Sequence, residues 1–246
     1  MIKKTINYCW FGNGKKSELI LKCIESWKKY CPDYELIEWN EQNYDIHKNK
    51  YMEEAYKNKK WAFVSDYARL DIIYNNGGIY LDTDVELIKN LDKIIEEKDA
   101  FFCVENEYIN TGLGFGAEKG NIVLKKLLES YDNISFIKED GTLDLLSCPV
   151  RNDDVFKNYI DKSKFNEIQI VDNIYIYPKE FFCPLDYETK ILNKTSKTVG
   201  IHWYGESWLT PKKKILKKIK RIYVKIFGIK SFNIIKSFIK RGRQNV

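Results

Sequence analysis

The stretch Ala62 to Leu87, AFVSDYARLDIIYNNGGIYLDTDVEL, restricts the fold more than any other part of the chain. Phe63, Tyr67, Leu70 and Tyr74 recur at helical spacing, and Ala62, Asp66, Arg69 and Ile73 form a neighbouring stripe. Gly77-Gly78 stops the helix with a left-handed cap and turns the chain into a short buried strand, Ile79 to Leu81. The strand exit carries Asp82 and Asp84, one residue apart and so on the same side. The Asp66/Arg69 helix face and the aspartate pair therefore arrive in one neighbourhood. Two carboxylates held close and half-desolvated repel each other, so a cation is expected between them.

The flanking sequence supplies a repeating α/β pattern. Residues 4 to 11 read as a first strand, followed by a Gly12/Gly14 turn. A helix then begins near Ser17, with Leu19, Cys23, Trp27 and Tyr30 on one stripe, and Cys31-Pro32 ends it. A second strand at 34 to 39 and a helical stretch from about Tyr51 to Asn58 complete a β-α-β-α opening, which predicts a mostly parallel sheet. Beyond the aspartates, 100 to 105 reads as a strand, 109 to 120 as a Gly-rich loop with a short strand, and 121 to 131 as a helix. Later strands are expected at 168 to 171, 174 to 178 and 199 to 204.

With 246 residues the chain can bury one large core. Its six cysteines are scattered, with no C-x-x-C pair and no Cys/His cluster of zinc spacing, and no secretory apolar segment precedes the first strand. They are expected to be free thiols in a reducing cytoplasm. No apolar run approaches the roughly 20 residues of a membrane-spanning helix. Charge is unevenly placed: 13 of the 41 basic residues fall between Lys212 and Arg243, where there is no acid, leaving 28 basic against 35 acidic residues in the body. An acidic body of this kind has no nucleic-acid footprint.

A D-x-D at a strand end is open to several readings. It can be a solvated turn or helix cap. It can be the nucleophile motif of a haloacid-dehalogenase-like phosphatase, although that motif follows the first strand of its fold and here about 80 residues precede it. It can also be a site where a hard cation, Mn²⁺ or Mg²⁺, meets a nucleoside diphosphate. The wider pattern S-D-x-x-R followed by G-G-x-Y-x-D-x-D is far more specific than D-x-D alone and favours the last reading over the others. Ser65, Asp66, Arg69, Gly77, Gly78, Tyr80, Asp82 and Asp84 all match it, and the segment resembles glycosyltransferase family 32, the DXD-containing sugar transferases of OCH1-like and capsular polysaccharide type. In this segment it is also similar to the large clostridial glucosylating toxins. The opening INYCWFG resembles the family's nucleotide-binding first strand, and GIHWYGESW near residue 208 its closing motif; 132 to 195 carries no recognisable motif.

The resemblance implies a GT-A type nucleotide-sugar-binding fold, a retaining reaction, a nucleotide-sugar donor and a divalent cation. On it, Trp10 lies against the base, Asp66 and Arg69 hold donor sugar hydroxyls beside Ser65, Tyr80 lines that pocket, and Asn110 reaches the sugar. Asp82 bridges ribose or sugar and metal, Asp84 binds metal directly, and His202 is a further metal ligand for which Glu206 could substitute. Ser207 and Trp208 contact the β-phosphate and the glycosidic oxygen. Asp66, Arg69, Asp82 and Asp84 are thus the expected catalytic set, with UDP-sugar as first choice of donor and GDP-mannose as second. Each residue also has a plain alternative: core aromatics for Trp10 and Trp208, a surface ion pair for Asp66 and Arg69, a packed histidine for His202.

Residues 1–210 are expected to form the catalytic domain and 211–246 a basic amphipathic tail. Ile215, Leu216, Ile219, Ile222, Tyr223, Ile226 and Phe227 share one helix face among lysines, Gly228 interrupts, and Phe232, Ile235, Phe238 and Ile239 resume. Such a helix suits the surface of an anionic bilayer, or else docks its apolar face on the body or a partner. The combined expectation is a bacterial enzyme on the cytoplasmic face of the membrane, extending a glycan or lipid-linked glycan for a surface polysaccharide. A non-catalytic membrane-surface protein is the contrasting possibility.

Overall fold

The structure is a computed structural model that describes residues 1–205 together with 215–224, 226–228 and 231. The expected boundary near residue 210 lies outside them, as do Glu206, Ser207 and Trp208. The first half alternates as anticipated: β1 (Thr5–Cys9), α1 (Glu18–Tyr30), β2 (Glu35–Trp39), α2 (Lys50–Lys57), α3 (Trp61–Asn76) and β3 (Gly78–Tyr80). Ser17 caps α1 by accepting from the Ile20 N–H. There follow β4 (Val85–Leu87), α4 (Asp92–Ile95), β5 (Ala100–Glu105), β6 (Tyr108–Ile109) and β7 (Phe115–Ala117). The chain continues through α5 (Ile122–Glu129), α6 (Cys148–Phe156), β8 (Gln169–Val171), β9 (Ile174–Tyr177) and β10 (Gly200–His202).

The central sheet runs β2-β1-β3-β7-β5-β9-β8. β2, β1, β3, β5 and β9 point the same way, whereas β7 and β8 are antiparallel to their neighbours. The mostly parallel α/β sheet is therefore present, with β7 inserted antiparallel between β3 and β5. β10 lies off this sheet and pairs antiparallel with β4, placing His202 opposite Val85. This small ribbon brings His202 back to the aspartate pair.

Apolar residues cover both faces of the central sheet. One core gathers α2, α3, α5 and α6 around Tyr51, Leu70, Phe102, Phe115 and Phe136. The other gathers α1 and the β4/β10 ribbon around Trp27, Leu81, Val85, Phe101 and Phe182. The two glycines after α3 have separate reasons. Gly77 (φ 71°) donates to the Ile73 carbonyl and ends the helix. At Gly78 (φ 105°) a Cβ would stand 2.9 Å from the Thr5 carbonyl oxygen, so β3 lies against β1 at a distance only glycine allows. All six cysteines are buried free thiols.

Candidate active site

The carboxyl end of β3 and α3 beside it build the floor of the site, the usual ligand position in an open α/β sheet. Asp66 and Arg69 form a buried ion pair on α3. This replaces the surface ion pair considered as the plain alternative, and makes the pair one that neither partner can leave cheaply. Arg69 also donates from Nε to the Ser65 carbonyl at 2.9 Å and points Nη1 at Asp82 Oδ1, 3.4 Å away. The Ser65 hydroxyl is turned to the Trp61 carbonyl, so Ser65 serves the site through its backbone. Burial works against charge on Arg69, but Asp82 and Asp66 on either side hold the guanidinium above its ordinary range.

Tyr80 is fully buried and donates its hydroxyl to Asp82 Oδ1 at 2.8 Å, bracing that carboxylate. The two aspartates then diverge electrostatically. Burial pushes the Asp82 carboxyl up to about 6, with Arg69 pulling the other way and Asp84 adding to the rise. Burial also opposes charge on Asp84, yet His202 beside it and the Gly205 N–H bring it down to about 2. His202 Nε2 lies 3.5 Å from Asp84 Oδ1 and Gly205 N–H donates to Oδ2 at 2.6 Å. Burial disfavours the imidazolium, but the Asp84 carboxylate outweighs it and holds His202 well above the usual histidine range. His202 is packed, as the plain alternative has it, and in addition faces the Asp84 carboxylate.

Asn110 reaches the same place from the turn between β6 and β7. Its Nδ2 donates to Glu105 Oε2 at 2.6 Å and its Oδ1 accepts from the Gly112 N–H at 2.7 Å. Trp10 stands at the end of β1, partly exposed, with its indole N–H on the Gly14 carbonyl at 2.7 Å and Lys16 over its ring, and it is not a core aromatic. Two features went unread in the sequence. A Cβ on Gly112 would fall 2.6 Å from Arg69 Nη1, 2.9 Å from Asp82 Oδ2 and 3.0 Å from Asn110 Oδ1, so this glycine keeps open the space those three groups face. Glu105, at the end of β5, joins Asn110 to His202, whose Nδ1 is 3.4 Å from Glu105 Oε2. A glycine in T-G-L-G-F-G was visible as loop material, but nothing local marked the carboxylate.

Two carboxylates and an imidazole are the right chemistry for a hard or borderline divalent cation, but only Asp84 and His202 meet here: among the described residues the ligand atoms of Asp82, Asp84 and His202 do not all lie within 4.8 Å of one another. Asp82 is turned to Tyr80 and Arg69 while Asp84 is turned to His202, so the carboxylates would share a cation by leaving those partners in part.

Fold and site define a DXD-containing glycosyltransferase of the GT-A type. In particular, residues 17–101 match the family described as the glycosyltransferase sugar-binding region containing DXD motif. No curated protein matches the chain by sequence. Among solved structures, the PaToxG glycosyltransferase superposes with a TM-score of 0.52 at 20% identity, covering 67% of this chain and 72% of that one. A glycosyltransferase involved in glycosylation of the major capsid of PBCV-1 gives 0.45 at 13% identity, over 82% and 94%. The galactosyltransferase LgtC, solved with donor and acceptor sugar analogues, gives 0.46 at 12%, over 88% and 93%. The first establishes the fold; the other two are more distant. Family region and fold together set aside the phosphatase alternative.

Proposed function

We propose that this glycosyltransferase is metal-dependent and retaining, and moves a sugar from a nucleotide-sugar, UDP-sugar first among them, to a glycan acceptor in surface polysaccharide synthesis. The observation that carries this reading is the convergence of Asp82, Asp84, His202 and Arg69 from α3, the β3 exit and β10. A divalent ion, Mn²⁺ or Mg²⁺, held by Asp82, Asp84 and His202 would supply the positive charge against which a diphosphate departs. Trp10 would offer its partly exposed ring to the base. Asp66 and Arg69, locked to each other, present a rigid polar wall to sugar hydroxyls, and Asn110 with the space above Gly112 fixes the sugar from the opposite side. In a front-face reaction assisted by the leaving phosphate, these groups need only position the donor; no dedicated base is required of them. Ser207 and Trp208 remain the proposed phosphate and glycosidic-oxygen contacts.

The test is a thermal-shift panel of UDP-, GDP- and CMP-sugars, each with Mn²⁺, Mg²⁺ or EDTA. A ligand present at 100 times its Kd should stabilise by about 2.7 kcal/mol. A shift with one nucleotide only, lost in EDTA, is the expected result. A folded protein that shifts with none would reverse the reading.

We also propose that the tail holds the enzyme to an anionic membrane on its cytoplasmic side, close to a lipid-linked acceptor. Residues 215–224 are helical, and Ile215, Leu216, Ile219 and Ile222, with Ile226 and Phe227 beyond, are 53–66% exposed. The side turned to the body is instead a basic one: Lys220 pairs with Glu188 and Lys217 lies 4.0 Å over the Tyr187 ring. An apolar face directed outward among lysines supports a bilayer contact over docking on the body. Among the described residues no helix is long and apolar enough to cross a membrane. Ile219→Asp with Ile222→Asp should abolish sedimentation with phosphatidylserine vesicles, and unchanged binding would refute the idea.

A further inference from the structure

His202 presents a second face. Its Nε2 addresses Asp84, but Nδ1 looks the other way, toward Glu105 and Cys183, and the ligand atoms of Glu105, Cys183 and His202 all lie within 4.8 Å of one another. They come from three places, the end of β5, the loop after β9, and β10, so no sequence spacing could announce them. His202 is 8% exposed and Cys183 2%. Although Glu105 Oε2 is 3.4 Å away, Nδ1 has no partner in hydrogen-bond geometry among the described residues. A buried nitrogen left so is uncommon and unfavourable. The Tyr204 hydroxyl stands 2.9 Å from Cys183 Sγ, placed to donate to a thiolate.

We propose that Glu105, Cys183 and Nδ1 of His202 form a second cation site, for a borderline-soft divalent ion of the zinc class, which shares its imidazole with the Asp82/Asp84 site. Thiolate, imidazole and carboxylate together select such an ion, whereas the oxygen-rich aspartate pair favours Mn²⁺ or Mg²⁺. On binding, the thiol proton and any proton on Nδ1 pass to solvent. The neutral imidazole then keeps its hydrogen on Nε2, where it faces Asp84 Oδ1. Nε2 consequently has no lone pair to give to a cation held by Asp82 and Asp84, and occupation of the second site weakens the first. Only this antagonism rests on the reading of His202 as a ligand to the donor-binding cation; the coordination itself does not.

The experiment adds Co²⁺ to the metal-free full-length protein and records the thiolate-to-cobalt charge-transfer absorption. A band is expected in the wild type and in Cys31→Ser, and none in Cys183→Ser. Glu105→Gln should keep the band but weaken cobalt binding by ~10-fold or more, which guards against a Cys183 variant that fails to fold. Absence of the band in folded wild type, or its survival in Cys183→Ser, overturns the site. With UDP present, one equivalent of Zn²⁺ should weaken Mn²⁺ binding, followed by paramagnetic resonance of free Mn²⁺, by ~10-fold or more in the wild type and not in Cys183→Ser. Unchanged Mn²⁺ affinity in zinc-loaded wild type overturns the shared imidazole. Wild type that binds no Mn²⁺ even without Zn²⁺ would count against the proposed transferase mechanism, while the cobalt band still decides the second site.

Discussion

Gly112→Ala is the sharpest probe of the proposed donor pocket. The backbone at Gly112 lies outside the left-handed region, so alanine is conformationally acceptable and only the added methyl matters. That methyl would meet Arg69 Nη1 at 2.6 Å, Asp82 Oδ2 at 2.9 Å and Asn110 Oδ1 at 3.0 Å. None can retreat cheaply: Arg69 is bound to Asp66 and the Ser65 carbonyl, Asp82 to Tyr80, and Asn110 to Glu105. Overpacking of this kind costs about 2 kcal/mol, a fall in Tm of about 4–8 °C for a chain of this size. If these groups position the sugar as proposed, a displacement near 1 Å lowers turnover on the order of 10²-fold. Donor hydrolysis measured well below the melting range separates this from unfolding. Gly14→Ala is the control, because a Cβ there meets nothing within 4 Å. A Gly112→Ala protein with wild-type Tm and wild-type turnover would refute the claim that this glycine holds the pocket open.

Three other perturbations have defined outcomes. Arg69→Met leaves Asp66 buried without its cation and should destabilise by about 3–5 kcal/mol in chemical denaturation; a loss below 1 kcal/mol would mean the pair is far better solvated than it is here. Asp84→Asn should remove metal-dependent turnover by on the order of 10²-fold or more while leaving the circular dichroism spectrum intact, and wild-type activity would sink the metal assignment. Asp186 accepts from the Glu188 and Thr189 N–H groups and the Thr189 hydroxyl. Burial works against its charge, but these donors prevail and lower its carboxyl below the ordinary range. The folded form therefore binds its proton later than the unfolded one, so this contribution is present above about pH 3.9 and fades as pH falls through the folded value. Asp186→Asn should accordingly lower stability at pH 7 by on the order of 1 kcal/mol and by less near pH 3, read from urea midpoints.

What was legible in the sequence was local. The helix over Trp61–Asn76, its glycine stop and the aspartates beyond it follow from periodicity and backbone freedom within one short stretch, and β1, α1, β2 and β5 stand close to their expected limits. His202 could be named only through its resemblance to a family ending, since a histidine in an apolar strand has no distinctive local pattern. Glu105, Gly112 and Cys183 escaped because each acquires meaning from partners far along the chain. The antiparallel β7 was hidden for a similar reason: Phe115–Ala117 is three residues long, and its direction is settled by the tight return from Asn110 rather than by its own composition. In 132 to 195 the structure finds α6, whose Cys148 stands 3.5 Å from Asn110 Oδ1, a contact with no counterpart in any periodic pattern.

The pairing of β10 with β4 also sets a schedule. Gly205 meets Asp84 across 121 residues of chain, and the Asp84 environment is finished only when that late ribbon docks. At ribosomal rates of about 5–20 residues per second, the aspartates emerge roughly 6–24 s before the loop that closes over them. A nascent chain can thus have α3 and β3 in place while its central carboxylates still lack the imidazole and the backbone donor that complete them. Competence for transfer would await the docking of that ribbon and would not belong to the folding intermediates that precede it.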